Sequence, residues 1–162
     1  MRRSVIIREY RMNRIRLAAL GGIAAIALGA GVAAFAAAPG YNPIVTRQSG
    51  QLLVLGSFVG IRQALLHKLP VKPFAEPALA MSKWFAQYPT LFPPGSDKGD
   101  HTQALPAIWT HFAAFQKDAD NASAAAGKLA MLAKAGNSAG FAAQVKVLGG
   151  TCLSCHKEFR AK

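Results

Sequence analysis

Apolar residues recur at helical spacing along four stretches of this chain, and no stretch alternates between apolar and polar residues for any useful length. The first stretch covers positions 44 to about 69, where apolar residues lie three and four positions apart. Asn42-Pro43 provides an amide N-cap and a proline in the first turn, and Pro70 and Pro73 end the helix. The pattern predicts one long helix with a wide apolar stripe of Leu52, Leu55, Phe58, Val59, Ile61 and Leu65.

Three further helices are predicted over residues 73–87, 109–135 and 138–160, the last of them capped by Asn137. Between the second and third, residues 88–106 contain six prolines and glycines, which predict a long irregular connection. Four helices without strands favour an all-α fold, an antiparallel four-helix bundle with one long crossover. Candidate core residues of the later helices are Phe74, Leu79, Met81, Trp84, Trp109, Phe141, Val145, Val147 and Leu148.

The first 38 residues have a different composition from the rest. Residues 1–16 hold six basic residues and one acidic residue, and residues 17–38 hold no charged residue. A basic start followed by an apolar run is typical of an export signal, here long enough to span a bilayer if it is not cleaved. Ala34-Phe35-Ala36 offers a cleavage site after Ala36. We therefore expect a signal peptide or uncleaved membrane anchor over 1–38 and a helical domain over 39–162, exported to the periplasm.

The net charge of +12 is shared between these two parts. Residues 37–162 carry 13 basic and 6 acidic residues, a net charge of +7, and their lysines are scattered. This pattern lacks the basic patch with interleaved aromatic residues that is typical of nucleic-acid binding, so no nucleic-acid partner is expected. Two interpretations of the positive charge are left. It is a solvated basic surface, or it attracts an acidic redox partner protein. No constellation of catalytic acid, base and nucleophile is present, and we expect a protein that is not an enzyme.

Cys152, Cys155 and His156 form a C-x-x-C-H motif with the only two cysteines of the chain. Residues three and four positions apart share one face of a helix. Both sulfurs can therefore bond to the vinyl edges of one porphyrin as thioethers, while His156 turns its imidazole to the iron. The motif predicts one covalently attached haem c with His156 as metal ligand.

The cysteine pair has three other interpretations. In an oxidising compartment Cys152 and Cys155 could form a plain disulfide in a haem-free bundle. A thioredoxin-like redox pair would require a preceding strand, which the pattern does not predict. A zinc site needs four ligands, and the other histidines, His67, His101 and His111, are scattered along the chain.

The segment Thr151–Arg160 resembles the C-terminal end of the cytochrome c′ family, the class II c-type cytochromes, in which the haem motif lies at the C-terminus. Phe92–Ser96 and Leu105–Trp109 resemble the connection and the start of the third helix in that family, and Arg47–Ser49 resembles part of its first helix. The likeness covers roughly residues 42–162. It implies a four-helix bundle that transfers electrons, binds small gases such as NO and CO, or does both. It also implies a possible homodimer formed through the first helices.

The resemblance also implies roles for individual residues. The motif cysteines become thioether anchors and His156 becomes the proximal iron ligand. Arg160 is expected one turn beyond His156 on the same helix face, beside the imidazole; the alternative is a surface residue near a helix end. Arg47 and Gln48 match residues near the haem propionates; the alternative is an exposed helix face.

The resemblance also implies that the open side of the iron faces a residue of the first helix, four positions after the matched arginine. An alignment without a gap matches both Arg47 and Phe58 and assigns this position to Gln51, whereas a gapped alignment assigns it to Leu52. A gap inside a helix would rotate the apolar stripe by about 100° per residue, so Gln51 is favoured. Neither is a strong iron ligand, which predicts a five-coordinate or weakly six-coordinate iron. The alternative is a low-spin electron carrier with a sixth protein ligand, for which Met81 is a candidate.

Overall fold

The computed structural model describes residues 40–162, so the predicted signal or anchor over 1–38 lies outside the described part. Within residues 40–162 the regular structure is helical, and the only β pairing is an isolated bridge between Ala104 and Arg160. Short 3₁₀ helices cover Lys72–Phe74 and Tyr88–Leu91. The five α-helices are α1 (Pro43–Leu66), α2 (Ala75–Gln87), α3 (Ala107–Thr110), α4 (Phe112–Lys134) and α5 (Ser138–Phe159).

Four long helices form the predicted antiparallel bundle, with the long crossover between α2 and α4. Helix α4 packs closely against α2 on one side and α5 on another, whereas α1 contacts both α2 and α5 only sparsely. Because α1 and α5 stand apart, the bundle is open between them. The main core lies between α2, α4, α5 and the C-terminal part of α1, and its largest fully buried side chains are Ile61, Met81, Leu129, Phe141 and Leu148.

The helix starts follow the predicted caps. The Asn42 side chain accepts hydrogen bonds from the backbone N–H groups of Ile44, at 2.9 Å, and Val45, at 3.2 Å. The Asn137 side chain accepts one from the Gly140 N–H at 2.8 Å. Both caps are confirmed, because an amide oxygen at this position satisfies N–H groups that have no partner inside the helix.

Two predicted helix boundaries are wrong. Helix α1 ends at Leu66 rather than near residue 69, because Lys68 turns into the left-handed region at φ 53°. The third predicted helix starts at Ala107, two residues before the predicted start, and it is divided at His111, whose ψ of 44° interrupts the helix. The Trp109 indole donates to the Phe92 carbonyl oxygen at 3.1 Å and fastens α3 to the crossover. The chain therefore has to turn before α4 can pack along α2.

The predicted stripe of α1 is not uniformly buried. Ile61 is fully buried, but Leu52, Leu55 and Val59 are exposed, because the stripe is wider than the surface that α2 and α5 cover. Leu79 and Val147 are also exposed, contrary to their assignment to the core.

Gly50 of α1 lies directly against the Trp84 side chain of α2. A Cβ atom built at Gly50 would overlap the six-membered ring of Trp84 on α2. A residue without a side chain is therefore required at this crossing, and the contact fixes the register of α1 against the bundle.

Candidate functional site

A cavity of about 1000 Å³ lies in the opening between α1 and α5. Its floor is built from α2, α4 and the crossover, and most of its walls are apolar. The aromatic and aliphatic side chains that form these walls are Val54, Leu55, Phe58, Met81, Phe85, Phe92, Ile108, Phe115, Val145 and Leu148.

The C-x-x-C-H motif lies in the last turns of α5, and all three of its functional side chains line this cavity. Cys152 and Cys155 are half-buried free thiols three positions apart in one continuous helix, and His156 follows directly. The spacing therefore places both sulfurs and the imidazole on the cavity side of one helix, as the sequence predicted.

Electrostatics keep the motif groups in their neutral forms. Burial raises the pKa of the Cys152 thiol, and burial followed by the nearby Asp118 carboxylate raises the pKa of Cys155 to about 12. Partial burial, and then the positive charge of Arg160, lower the pKa of His156. At neutral pH the site thus offers two thiols and a neutral imidazole. The neutral imidazole is the form that binds a metal ion, because one of its nitrogens has a free lone pair.

Arg47 is buried in the wall at the start of α1, with 3% of its surface exposed. Its guanidinium donates to the Leu91 carbonyl oxygen at 3.1 Å, to the Ser96 hydroxyl at 2.9 Å, to the Ser96 carbonyl oxygen at 2.6 Å and to the Thr102 hydroxyl at 2.9 Å. It also lies 4.4 Å above the centre of the Phe92 ring. The alternative that Arg47 occupies an exposed helix face is therefore wrong.

All the hydrogen-bond acceptors of Arg47 are neutral oxygen atoms, so they solvate its positive charge without balancing it. A buried cation of this kind favours an anionic group nearby. Gln48 is half-buried beside it, lines the cavity and donates from its amide to the Asp100 carbonyl oxygen at 2.9 Å. These two residues form the polar end of an otherwise apolar cavity.

Arg160 lines the cavity near His156, but it is not on the helix face that the sequence suggested. Helix α5 ends at Phe159, and Arg160 has extended backbone with φ −123° and ψ 134°. Its Nε donates to the Gln103 side-chain oxygen at 2.9 Å, and its backbone forms the bridge to Ala104. The crossover therefore pulls the last residues out of the helix and sets the position of this guanidinium.

Gln51 and Leu52, the two candidates for the open side of the iron, differ in their direction from α1 relative to the cavity. Eight residues of α1 line the cavity, and at about 100° per residue their mean direction lies within about 15° of Gln51. Leu52 lies about 90° from that direction and is 69% exposed. Both residues line the cavity, with Gln51 near the middle of the helix face and Leu52 at its edge.

Several residues of the cavity wall were not identified from the sequence. Tyr88, in the first position of the 3₁₀ helix after α2, lines the cavity although nothing in the local pattern distinguishes it from a loop residue. Asp118 of α4 also faces the site. Helical spacing from Phe115, a buried neighbour one turn earlier, was the only available signal. Met81 is 2% exposed and belongs both to the core and to the cavity wall.

The histidines outside the motif are not brought together. His67 caps the C-terminus of α1, His101 lies at the edge of the cavity, and His111 lies between α3 and α4. Among residues 40–162 no three side chains of the His, Cys, Asp and Glu types are grouped closely enough to hold a metal ion by themselves.

The residues present fit a haem. The cavity offers apolar walls for a macrocycle, two thiols and an imidazole on one side of α5, and a buried guanidinium that lacks a counter-charge. Cys152 and Cys155 would hold the vinyl edges, His156 would bind the iron, and Arg47 with Gln48 would face the propionates.

Comparison with known proteins agrees with this site. A family model described as Cytochrome C′ matches residues 42–160. Cytochrome c′ of Rubrivivax gelatinosus is 36% identical over 124 residues, which cover 75% of this chain and 95% of the relative. Cytochrome c-556 of Agrobacterium tumefaciens strain II Chrys is 30% identical over 123 residues, which cover 73% of this chain and 97% of the relative.

Solved structures show the same fold. The crystal structure of the Rubrivivax gelatinosus protein matches with a TM-score of 0.67 and 36% identity, over 74% of this chain and 94% of that one. A cytochrome c′ described by its ligand-controlled dimer dissociation matches with a TM-score of 0.70 and 25% identity, over 76% and 99%. The nitric oxide complex of a mutant cytochrome c prime from Alcaligenes xylosoxidans matches in fold, with a TM-score of 0.66 and 24% identity, over 74% and 94%. A variant of that protein is also known with carbon monoxide bound.

Proposed function

The chain belongs to the cytochrome c′ family, and from that premise we propose that it is a periplasmic protein that carries one covalent haem c, binds small gases such as NO and CO, and exchanges electrons with a partner protein. The observation that carries this proposal is the convergence of Cys152, Cys155 and His156 on one cavity whose walls are apolar. The bound haem would supply the redox chemistry and the gas-binding iron. The chain would bury the macrocycle, fix one axial ligand and control access to the other side.

Gas binding is supported by the α1 wall. Gln51, Leu52 and Leu55 line the cavity, and none of these side chains is a strong iron ligand. The iron would then keep an open or weakly held axial position. The structural relatives with nitric oxide and carbon monoxide bound carry this role in the same fold. Distal polarity and access decide between gas binding and electron transfer in haem proteins.

Mass spectrometry and the visible spectrum of the exported protein test the proposal. Protein from a host with cytochrome maturation machinery should weigh one haem more than its processed polypeptide. Its ferric and ferrous spectra should be high-spin, and carbon monoxide should change the ferrous spectrum. A Cys152→Ala, Cys155→Ala double variant is the matched control and should lose the added mass. A matured protein that weighs only what its amino acids weigh would overturn the proposal and leave a haem-free bundle.

A low-spin electron carrier is a second candidate, and the position of Met81 favours it. Its side chain lies in the cavity wall, and a thioether is a known axial ligand of haem iron. Replacement of Met81 by Leu separates the two candidates. A low-spin spectrum that becomes high-spin in Met81→Leu would support the electron carrier. A high-spin spectrum in both proteins would support the open iron.

Export to the periplasm is proposed from the basic and apolar start of the chain. A haem that is covalently held by a C-x-x-C-H motif cannot be lost from the protein, which suits a location outside the cytoplasm. Cell fractionation tests it, and N-terminal sequencing shows whether the chain is cut after Ala36 or kept as an inner-membrane anchor. Recovery of the haem-bearing protein in the cytoplasm would contradict the proposed location.

The outward side of α1 is proposed as a homodimer surface. Val45 and Leu53 are exposed apolar residues on this side of the helix, and Leu53 is 74% exposed. Gly56 and Gly60 on the same side have open space around them, which allows a second helix to approach closely. Large exposed apolar patches are rare on monomeric soluble proteins and mark interaction sites. The dimer of a structural relative supports the assignment.

A further inference from the structure

The exposed charged residues that line the cavity are all basic. Arg62 of α1, Lys146 of α5 and Arg160 after the end of α5 line it and are exposed to solvent. Of the described residues in this lining, Asp118 alone is acidic, and it is half-buried on α4. The edge of the opening between α1 and α5 therefore carries positive charges that no exposed acidic residue of the lining balances.

Arg62 and Lys146 lie opposite each other across this opening. The end of the Phe58 ring on α1 is 3.3 Å from the position that a Cβ atom of Gly149 on α5 would occupy, so the two helices are in contact there. Arg62 follows Phe58 by four residues and Lys146 precedes Gly149 by three, on the same helix faces. Because α1 and α5 run antiparallel, both basic residues lie about one turn beyond this contact in the same direction.

Two exposed acidic residues belong to the other end of the opening. Glu158 is in the last turn of α5 and Asp100 is in the crossover, and neither of them lines the cavity. The Asp100 carboxylate accepts a hydrogen bond from the Asn42 amide at 2.8 Å. Both lie at the end of the bundle where the crossover pairs with Arg160. The unbalanced positive charge of the opening is therefore concentrated at Arg62 and Lys146.

Neighbouring charges of the same sign repel each other, most strongly at low ionic strength. No exposed acidic residue of the described lining compensates the repulsion between Arg62 and Lys146, and a negatively charged group from outside the chain would remove it. Exposed charges of one sign at the edge of a cleft also steer oppositely charged partners toward it from a distance. This end of the opening therefore favours an anionic partner.

Exposed apolar residues lie along the same opening. Leu52 and Leu55 come from α1 and Leu153 comes from α5, and these three residues line the cavity with 69%, 55% and 72% of their surface exposed. Protein interfaces combine an apolar centre with a polar edge, whereas a small anion would use only the charges. The opening therefore matches a protein that presents carboxylates around a small apolar contact.

We propose that the opening between α1 and α5 is the docking surface for an acidic electron-transfer protein, whose carboxylates contact Arg62 and Lys146. One electron passes from the reduced partner to the ferric iron, which becomes ferrous, and no bond forms or breaks. Electrostatic complementarity of this kind raises the association rate and limits the choice of partner more than it adds affinity. This inference rests on the proposed function, because it requires a haem in the cavity that accepts an electron.

Stopped-flow reduction of the matured ferric holoprotein tests the inference, with the hydroquinone form of flavodoxin, an acidic electron-transfer protein, as the probe. The second-order rate constant should fall as salt is raised from about 10 mM to about 1 M, because the Debye length shrinks from about 30 Å to about 3 Å. At low salt the double variant Arg62→Glu, Lys146→Glu should react at least about tenfold more slowly than the wild type. At high salt the two proteins should react at similar rates.

The double variant Lys83→Glu, Lys134→Glu is the matched control, because it makes the same change in net charge on exposed residues of α2 and α4 that do not line the cavity. It should slow the reaction with flavodoxin by less than about threefold at low salt. Hexaammineruthenium(II), a small cationic reductant, gives a second readout. It should reduce the Arg62→Glu, Lys146→Glu variant faster than the wild type, whereas a changed driving force or fold would move the rates of both reductants in the same direction.

Equal slowing by the two double variants would show that net charge alone steers flavodoxin, and it would overturn the docking surface. A wild-type rate constant that does not depend on salt would also overturn it, as would rates that change in the same direction with both reductants. In each of these cases a holoprotein with a carbon monoxide spectrum would leave the proposed function standing. A matured protein without haem would overturn the proposed function, and this inference with it.

Discussion

The Arg47 guanidinium on α1 binds Ser96 in the crossover twice, through the hydroxyl oxygen at 2.9 Å and the carbonyl oxygen at 2.6 Å. The same hydroxyl donates to the Pro93 carbonyl oxygen at 2.8 Å, so that one side chain closes the turn and holds it on the first helix. The Phe92 ring stacks beneath the guanidinium. The crossover contains little regular structure, and Arg47 and Gln48 both tie it to the bundle at the polar end of the cavity.

Replacement of Arg47 by Lys should lower the free energy of unfolding by about 1–3 kcal/mol, because an ammonium group keeps the charge but cannot reproduce the planar fork of donors. Urea unfolding of the holoprotein measures the change. Lys83→Arg, the reverse exchange at an exposed position of α2 outside the cavity, should alter the stability by less than about 0.5 kcal/mol. Equal effects of the two substitutions would contradict the role assigned to Arg47.

Replacement of Gly50 by Ala should destabilise the fold by about 1–3 kcal/mol, because the added methyl group overlaps the six-membered ring of Trp84 and forces α1 away from α2. Thermal or urea unfolding measures the loss. The Trp84→Phe variant removes the overlapping atoms, and it also removes an indole nitrogen that is buried without a partner among the described residues. In that background Gly50→Ala should cost clearly less. The same cost in both backgrounds would show that the two residues are not coupled.

The stability of the protein should fall as the pH rises from about 10 to about 12, and Tyr88 should cause part of the fall. Its pKa is about 12 in the folded chain and 10.0 in a model compound, so the unfolded chain loses this proton first. The stabilisation is complete below pH 10 and disappears through the folded pKa, by about 2–3 kcal/mol at most. Unfolding curves of wild type and Tyr88→Phe at pH 9 to 11.5 measure it. The variant should lose less stability with rising pH, and parallel curves would contradict the assignment.

Local rules predicted the helices and the motif well. The caps at Asn42 and Asn137 and the spacing of Cys152, Cys155 and His156 act through neighbours in the sequence, and the structure agrees with each of them. Membership in the cytochrome c′ family, suggested by four separated segments, is also confirmed.

The parts that the sequence did not predict depend on contacts between distant segments. Arg47 is buried because the crossover folds over it, and nothing in α1 itself predicts that. Arg160 leaves the helix because its side chain binds Gln103 and its backbone pairs with Ala104, some 57 residues earlier in the chain. Helical periodicity showed how wide the apolar stripe of α1 is, but not which part of that stripe neighbouring helices would cover.

Replacement of Leu53 by Glu should weaken homodimer formation at least about tenfold, because a charge placed in an apolar contact must be desolvated without a partner. Sedimentation equilibrium or mass photometry measures the dissociation constant. Met131→Glu makes a matched change at an exposed apolar residue of α4 and should leave self-association unchanged. A wild-type protein that stays monomeric at high concentration, or equal effects of both variants, would exclude this face of α1 as the dimer surface.

Replacement of His156 by Ala should separate attachment of the haem from ligation of its iron. The two thiols that form thioethers are untouched in this variant, so mass spectrometry should still find the added haem. The ferrous and ferric spectra should change, since the proximal nitrogen is gone, and added imidazole should restore them because the free ligand fits the space that the side chain leaves. His67→Ala, at the C-terminus of α1 and outside the cavity, should leave every spectrum unchanged. An unaltered spectrum in His156→Ala would mean that another group binds the iron, and the assignment of α5 as the proximal helix would then be wrong.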